Sequence, residues 1–159
     1  MAASSDGATI YFAAGGTIWS IPSAGGEARR IRSGNRVVAN GSDRALLVSV
    51  LESPKMRLFR VPLDGAPERE IIADGSHSLA YQLLSPGSWN PNGRLLVSLH
   101  DSWYTGPAVL DTNNGRVQPL PFDNETDYGS LGWLPDGKIL AALRVRLRST
   151  LWLFTQGRE

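Results

Sequence analysis

The sequence of 159 residues has no cysteine, only two histidines and no long apolar run. Without cysteine there can be no disulfide, no thiolate metal site and no cysteine nucleophile. No apolar run approaches the ~20 residues that a membrane-spanning helix requires, so we expect no membrane insertion. The formal net charge of +1 likewise gives no reason to expect nucleic acid as a partner. These absences exclude several classes of function and leave the compartment unknown.

The N-terminus has neither the basic segment nor the apolar segment of a secretory signal peptide. Its first residues, MAASSDGATI, instead lead directly into a turn and a strand pattern. We therefore expect the chain to be part of a longer protein.

A short pattern occurs twice, as SWNPNGRLLVSL from Ser88 to Leu99 and as GWLPDGKILAAL from Gly132 to Leu143. Looser copies begin at Ser4 and at Gly41. The four copies recur at irregular intervals of roughly 40 residues, which is typical of repeat architectures.

Short apolar runs rich in β-branched and aromatic residues lie between glycines and prolines along the whole chain. Many short strands with frequent turns predict an all-β sandwich, barrel or propeller. One stretch, 138–156, lacks glycine and proline and could form a helix. The alternation of apolar and basic residues from Leu143 to Arg148 favours a strand there instead.

The two strong repeats, together with IWSIPSAGG from Ile18 to Gly26, resemble TolB-like, WD-type β-propeller repeats. In that family a tryptophan, proline, aspartate and glycine turn precedes an apolar strand. The proline fixes the entry to the turn, the glycine permits an unusual backbone angle, and the tryptophan fills the space between neighbouring blades. The matching residues here are Trp89, Pro91, Asn92, Gly93, Trp133, Pro135, Asp136 and Gly137.

The resemblance implies blades that are four-stranded antiparallel sheets, with approximate boundaries at residues 1–33, 34–75, 76–121 and 122–159. We predict the last three strands of one blade, two whole blades and the first three strands of another. This amounts to a partial ring of about 3.5 to 4 blades, whereas TolB-type propellers have six. The ring could be completed by the rest of a longer protein, by a second copy, or by closure of four compressed blades. Because uncovered sheets associate, we expect the isolated chain to self-associate.

Two groups of residues outside the repeat pattern are candidates for binding. His100 and Asp101 lead into a loop with Trp103 and Tyr104, and exposed aromatic residues are typical of binding hot spots. The alternative is that these aromatics pack and that His100 is a hydrogen-bonded loop residue. Arg144, Arg146 and Arg148 share one face of a predicted strand and could bind an anion or acidic partner; a solvated or salt-bridged face is the alternative.

No known catalytic or nucleotide-binding pattern occurs in the sequence. There is no phosphate-binding loop, dinucleotide fingerprint or hydrolase elbow. The acidic loop from Asp123 to Gly129 departs from the calcium-binding pattern in its glycine and in its last ligand. We therefore expect no catalytic residue, no metal site and no cofactor.

We expect a non-catalytic protein-interaction or sensor module that binds a protein partner or a second copy of itself, in a dimer that closes a propeller. The resemblance implies the propeller part of a larger bacterial protein, cytoplasmic or extracytoplasmic, such as a serine/threonine kinase or a winged-helix regulator. One alternative is the scaffold or gating propeller of an enzyme, such as a prolyl-oligopeptidase-type peptidase or a propeller lyase. Another is a purely structural assembly module.

Overall fold

The computed structural model of the chain describes residues 1–39, 44–53, 55–75, 77–80, 84–85, 87–100, 105–121, 127–134, 136 and 140–145. These residues form 14 strands in four sheets, each strand antiparallel to its neighbours. Each sheet is one blade, and its strands follow one another in chain order.

The first three blades have four strands each. Blade 1 contains β1 (Ala2–Ala3), β2 (Thr9–Ala14), β3 (Thr17–Pro22) and β4 (Arg29–Ser33). Blade 2 contains β5 (Arg36–Val38), β6 (Ala45–Glu52), β7 (Lys55–Pro62) and β8 (Arg69–Ile71). Blade 3 contains β9 (Ser78–Leu79), β10 (Arg94–His100), β11 (Thr105–Asp111) and β12 (Val117–Pro119). In blade 4 the structure describes β13 (Asp127–Trp133) and β14 (Leu140–Val145).

The all-β architecture of four-stranded antiparallel blades confirms the fold class predicted from the sequence. The described residues contain no helix, and residues 140–145 of the ambiguous segment form a strand. The strand count predicted for the first unit was too low, because β1 adds a fourth strand to blade 1. Two consecutive alanines carry no alternating pattern, so only pairing with Ile10 and Tyr11 reveals this strand.

Blade 2 lies between two hydrophobic clusters. One face of its central hairpin contributes Leu46 and Val48 to a cluster with Tyr11 and Ile18 of blade 1. The other face contributes Leu47 to a cluster that includes residues of blade 3. Successive side chains of a strand point to opposite faces, so a strand between two clusters is buried on both sides. Residues 45–49 of β6 are accordingly all buried, and all but Ser49 are apolar.

The repeated turn motif lies at the junction of blades 3 and 4. Trp89 is buried within the cluster between blades 2 and 3. Gly93 has φ of 78°, a backbone conformation that favours glycine, and a Cβ at this position would displace the Asn113 side chain, whose Nδ2 would lie 2.6 Å away. The Trp133 indole nitrogen donates to the carbonyl oxygens of Ser88 at 3.0 Å and Arg94 at 3.2 Å. The second tryptophan therefore ties blade 4 to the turn of blade 3.

Candidate interaction surface

The central hairpins of the first three blades have the same register, so equivalent positions can be compared directly. In each hairpin a backbone amide after the second strand donates to the carbonyl just before the first strand. These hydrogen bonds join Ser23 to Ala8 at 2.8 Å, Leu63 to Arg44 at 2.7 Å, and Thr112 to Gly93 at 2.9 Å. Counting from these anchors, Ile10, Leu46 and Leu95 occupy one equivalent position, and Phe12, Val48 and Val97 occupy another.

We call the face that carries these residues the leading face, because in blades 2 and 3 it packs against the preceding blade. In blade 2 it consists of two cross-strand pairs, Leu46 with Val61 and Val48 with Phe59. All four side chains are buried against blade 1. In blade 3 the equivalent pairs are Leu95 with Leu110 and Val97 with Ala108, and all four are buried against blade 2.

The leading face of blade 1 has the same apolar character without the same burial. Its pairs are Ile10 with Ile21 and Phe12 with Trp19. All four residues are only half-buried, and none belongs to either hydrophobic cluster of the described residues. This face thus has the apolar composition of its counterparts in blades 2 and 3, and more of it is exposed.

Charged side chains line the outer rim where blade 1 meets the leading face of blade 2. The Arg32 guanidinium stacks over the Phe59 ring at 3.9 Å from its centroid and forms a 2.9 Å ion pair with Glu68. A guanidinium over an aromatic ring is attracted by the negative face of the ring. Blade 1 therefore contributes the cation and blade 2 the aromatic ring and the carboxylate.

A second arginine on blade 2 extends this rim. The Arg57 guanidinium donates two hydrogen bonds to Glu70, at 2.8 and 2.6 Å, and one to Glu52 at 3.2 Å. The bonds from Arg57 lower the pKa of Glu70, and the bonds to Glu70 and Glu52 raise the pKa of Arg57. In blade 1 the position of Glu70 is occupied by Arg30, because Glu70 pairs with Phe59 and Arg30 pairs with Trp19. At this position the two leading faces carry opposite charges.

The structure describes only part of the predicted binding residues. His100 is exposed at the end of β10, where it pairs with Thr105 and Ser78. Asp101, Trp103, Tyr104, Arg146 and Arg148 lie outside the described residues, and for Arg144 only the strand position in β14 is described. Their roles in binding therefore remain predictions.

The repeat motif is described in part. Pro91 and Asn92 are exposed in the turn, as is Asp136, whereas Pro135 and Gly137 lie outside the described residues. His77, the second histidine, lines a cavity of about 270 Å³ beside Arg57 and Glu70. Among the described residues no group of three potential metal ligands comes together, and no helix there is long and apolar enough to cross a membrane.

The leading face of blade 1 was not among the sites predicted from the sequence. Its signal was present, since Ile10 and Phe12 lie in a continuous apolar run and Trp19 lies in an Ile-Trp-Ser-Ile stretch. Such runs show that a strand has apolar faces, but they do not show whether another sheet covers each face.

No protein-family model matches the sequence, and no curated protein matches it. Solved structures do match. TolB from Acinetobacter baumannii aligns with a TM-score of 0.64 at 16% identity, over 87% of this chain and 35% of that protein. Two structures of the AtxE2 isopeptidase, without ligand and as a variant with Astexin3-dC4 bound, align with TM-scores of 0.48 and 0.46 at 18% identity. They cover 79% of this chain and 20% and 21% of theirs.

TM-scores below 0.5 do not show a shared fold, so of these three structures only TolB is used to describe the fold of this chain. The chain spans about a third of the length of TolB, since 35% of that protein is covered. At 16% identity the likeness is one of fold and not of activity. The chain thus folds as blades of a TolB-like β-propeller that form part of a ring.

Proposed function

We propose that this chain is a non-catalytic protein-interaction module that binds through the leading face of blade 1. The observation that carries the proposal is the equivalence in register between Ile10, Phe12, Trp19 and Ile21 and the buried faces of blades 2 and 3. Burying an apolar side chain that is otherwise in water is favourable by about 25 cal/mol per Å². A face of this kind is therefore stabilised by any sheet of matching shape.

The occupant that we propose is a blade of a second copy of the chain. Blades 1 to 3 show that one blade of this fold seats on the leading face of the next, with apolar pairs in the centre and charges at the rim. A heterologous contact of this kind joins different faces of the two copies and closes only when the geometry permits a ring. The family resemblance also suggests a sensor role within a larger bacterial protein, and in such a protein an upstream blade would occupy this face in place of the second copy.

The test is the solution mass of the chain, measured by light scattering over a range of concentrations. We expect the mass to rise from 17.2 kDa towards twice that value as the concentration increases. The variant Ile21→Lys places a charge in the centre of the face, and we expect its dissociation constant to be at least about tenfold higher.

The matched control is Ile72→Lys, which changes an isoleucine that is 74% exposed and lies outside the leading face of blade 1. We expect this control to associate like the unmodified protein. A mass of 17.2 kDa at every concentration, or an equal effect of the two substitutions, would contradict the proposal. Circular dichroism of both variants establishes that they remain folded.

A further inference from the structure

The last strands of the three complete blades lie at the outer edges of their sheets and differ in how much of the edge is already used. In blade 3, the β12 edge has Pro119, which lacks an N–H, and the Val117 amide already donates to Asp74 at 2.9 Å. In blade 2, Arg69 of β8 donates to the carbonyl oxygens of Thr112 and Asn113. The Val117 amide of β12 and the Arg69 side chain of β8 are therefore already engaged within the chain.

The β4 edge of blade 1 is different in length, composition and charge. It has five residues, Arg-Arg-Ile-Arg-Ser, whereas β8 and β12 have three each, and it contains no proline. Its neighbour in the sheet is β3, and β4 is the last strand in the sheet order. One edge of its backbone is thus left for pairing with a further strand.

Positive charge is concentrated along this edge. Three of the five residues of β4 are arginines, Arg29, Arg30 and Arg32, and none is acidic. Arg32 is engaged by Glu68 and Phe59. Arg29 and Arg30 are exposed and form no ion pair with a described residue. Arg30 donates a hydrogen bond to the neutral hydroxyl of Ser33 at 3.3 Å.

Beside the beginning of this strand lies a cavity of about 300 Å³. Its lining combines the apolar side chains of Ile21 and Pro22 with the charged groups of Glu27 and Arg29. A strand paired with β4 would place alternate side chains over the two faces of the sheet, and this cavity could receive one of them.

We propose that the β4 edge binds an acidic, extended segment of another polypeptide, which adds to blade 1 as a fifth strand. The backbone of the segment pairs with the free edge of β4, and its carboxylates accept hydrogen bonds from Arg29 and Arg30. A polypeptide fits this edge better than a nucleic acid, because only a polypeptide supplies alternating N–H and C=O groups for the ladder. The β4 edge adjoins the leading face of blade 1, and Ile21 and Arg30 belong to both, but pairing with the backbone of β4 does not require self-association.

The experiment is a fluorescence anisotropy titration of the whole chain with short labelled peptides. The probe repeats two glutamates followed by two valines, so that carboxylates lie on both faces of the added strand, and the matched probe has lysine in place of glutamate. A third peptide has the glutamate–valine sequence with N-methyl groups on the amides of one edge, which removes donors and leaves the charge unchanged. We expect the first peptide to bind, the lysine peptide not to bind, and the N-methylated peptide to bind at least about tenfold more weakly.

Variants of the protein locate the binding surface. In the double variant Arg29→Glu, Arg30→Glu we expect binding of the glutamate–valine peptide to weaken by at least about tenfold. The control Arg116→Glu reverses an exposed arginine on blade 3 and should bind like the unmodified protein. Circular dichroism and light scattering show whether the double variant remains folded and keeps its state of association.

Three results would overturn the proposal. Absence of binding would mean that the arginines only protect an edge strand from association. Equal binding of the N-methylated peptide would mean that charge attraction, and not strand pairing, holds the segment. Equally effective competition by a DNA duplex of similar charge would mean a general affinity for polyanions.

Discussion

The leading faces of blades 1 and 2 have the same cross-strand register and the same apolar composition, yet only that of blade 2 is fully buried. In blade 2, Leu46, Val48, Phe59 and Val61 are all less than 9% exposed, because blade 1 covers them. Ile10, Phe12, Trp19 and Ile21 of blade 1 are half-buried in the same positions. The same apolar pattern is thus covered by a neighbouring blade in blade 2 and left partly in water in blade 1.

The leading faces of blades 1 and 2 have similar apolar residues but different charged residues at their rims. On blade 2, Glu68 and Glu70 meet arginines, one from blade 1 and one from blade 2 itself. On blade 1 the place of Glu70 is taken by Arg30. The apolar pairs are thus alike in the two blades, whereas the charge at this rim position is reversed.

The largest predicted effect comes from truncating equivalent residues of the two faces. Leu46→Ala removes a fully buried side chain, and we expect it to lower the free energy of unfolding by about 3 kcal/mol. Ile10→Ala, at the equivalent position of blade 1, removes a half-buried side chain and should cost about 1 kcal/mol. Urea unfolding at low protein concentration measures both.

An equal loss in the free energy of unfolding for the two variants would contradict this prediction, because it would show that the blade 1 face is covered as fully as that of blade 2. If the stability lost in Ile10→Ala grows with protein concentration, a second copy of the chain covers the blade 1 face.

The next prediction concerns the contact between blades 2 and 3. Gly65 and Gly115 both have positive φ, of 85° and 81°. A Cβ at Gly65 would meet no atom within 4 Å, whereas at Gly115 it would collide with the carbonyl oxygen of Ile72 in blade 2. We expect Gly65→Ala to cost about 1 kcal/mol for backbone strain alone. Gly115→Ala should cost at least about 2 kcal/mol, because the clash between blades adds to the strain.

Thermal unfolding of the two glycine variants under identical conditions checks this prediction. The Gly65 variant serves as the control for the left-handed backbone. If both variants lose the same stability, the close approach of Gly115 to blade 2 does not constrain the packing of the two blades.

The smallest predicted effect is a pH dependence of stability that arises from the Arg57–Glu70 pair at the rim of blade 2. The hydrogen bonds from Arg57 lower the pKa of Glu70 in the folded protein, so the unfolded chain binds a proton more readily. The resulting stability is present above the unfolded pKa of about 4.5 and is lost as the pH falls through the lower folded pKa. Since both side chains are about a third exposed or more, at 32% and 43%, solvent screening keeps the effect small.

We therefore expect the stability of Glu70→Gln to fall less than that of the unmodified protein between about pH 5 and about pH 3. Chemical denaturation at several pH values measures the difference. Glu27→Gln is the control, because it removes an exposed carboxylate that forms no ion pair with a described residue. An identical pH profile for Glu70→Gln and the unmodified protein would show that the Arg57 pair does not contribute to the stability of the blade.

Several features of the fold could be predicted from sequence because their causes are local. The turn after Asn92 needs a glycine at positive φ, and the Asn113-Asn114-Gly115 turn joins two adjacent strands. β1 was missed, because Ala2 and Ala3 have no pattern of their own and form a strand only by pairing with β2. The leading face of blade 1 was missed as a site for a different reason: Phe12 and Val48 look alike in sequence, and only their neighbours distinguish them.

The hairpins and tight turns follow from the order of the amino acids, because they depend on backbone angles and on residues close together in the chain. Which apolar face lies under another blade, and which charges meet, depends on how the sheets stack. Arg32 and Glu68 are 36 positions apart, and their ion pair exists because two sheets stack. The same stacking buries Leu46 and leaves Ile10 half in water, since burial depends on the presence of a neighbouring sheet and not on the strand alone.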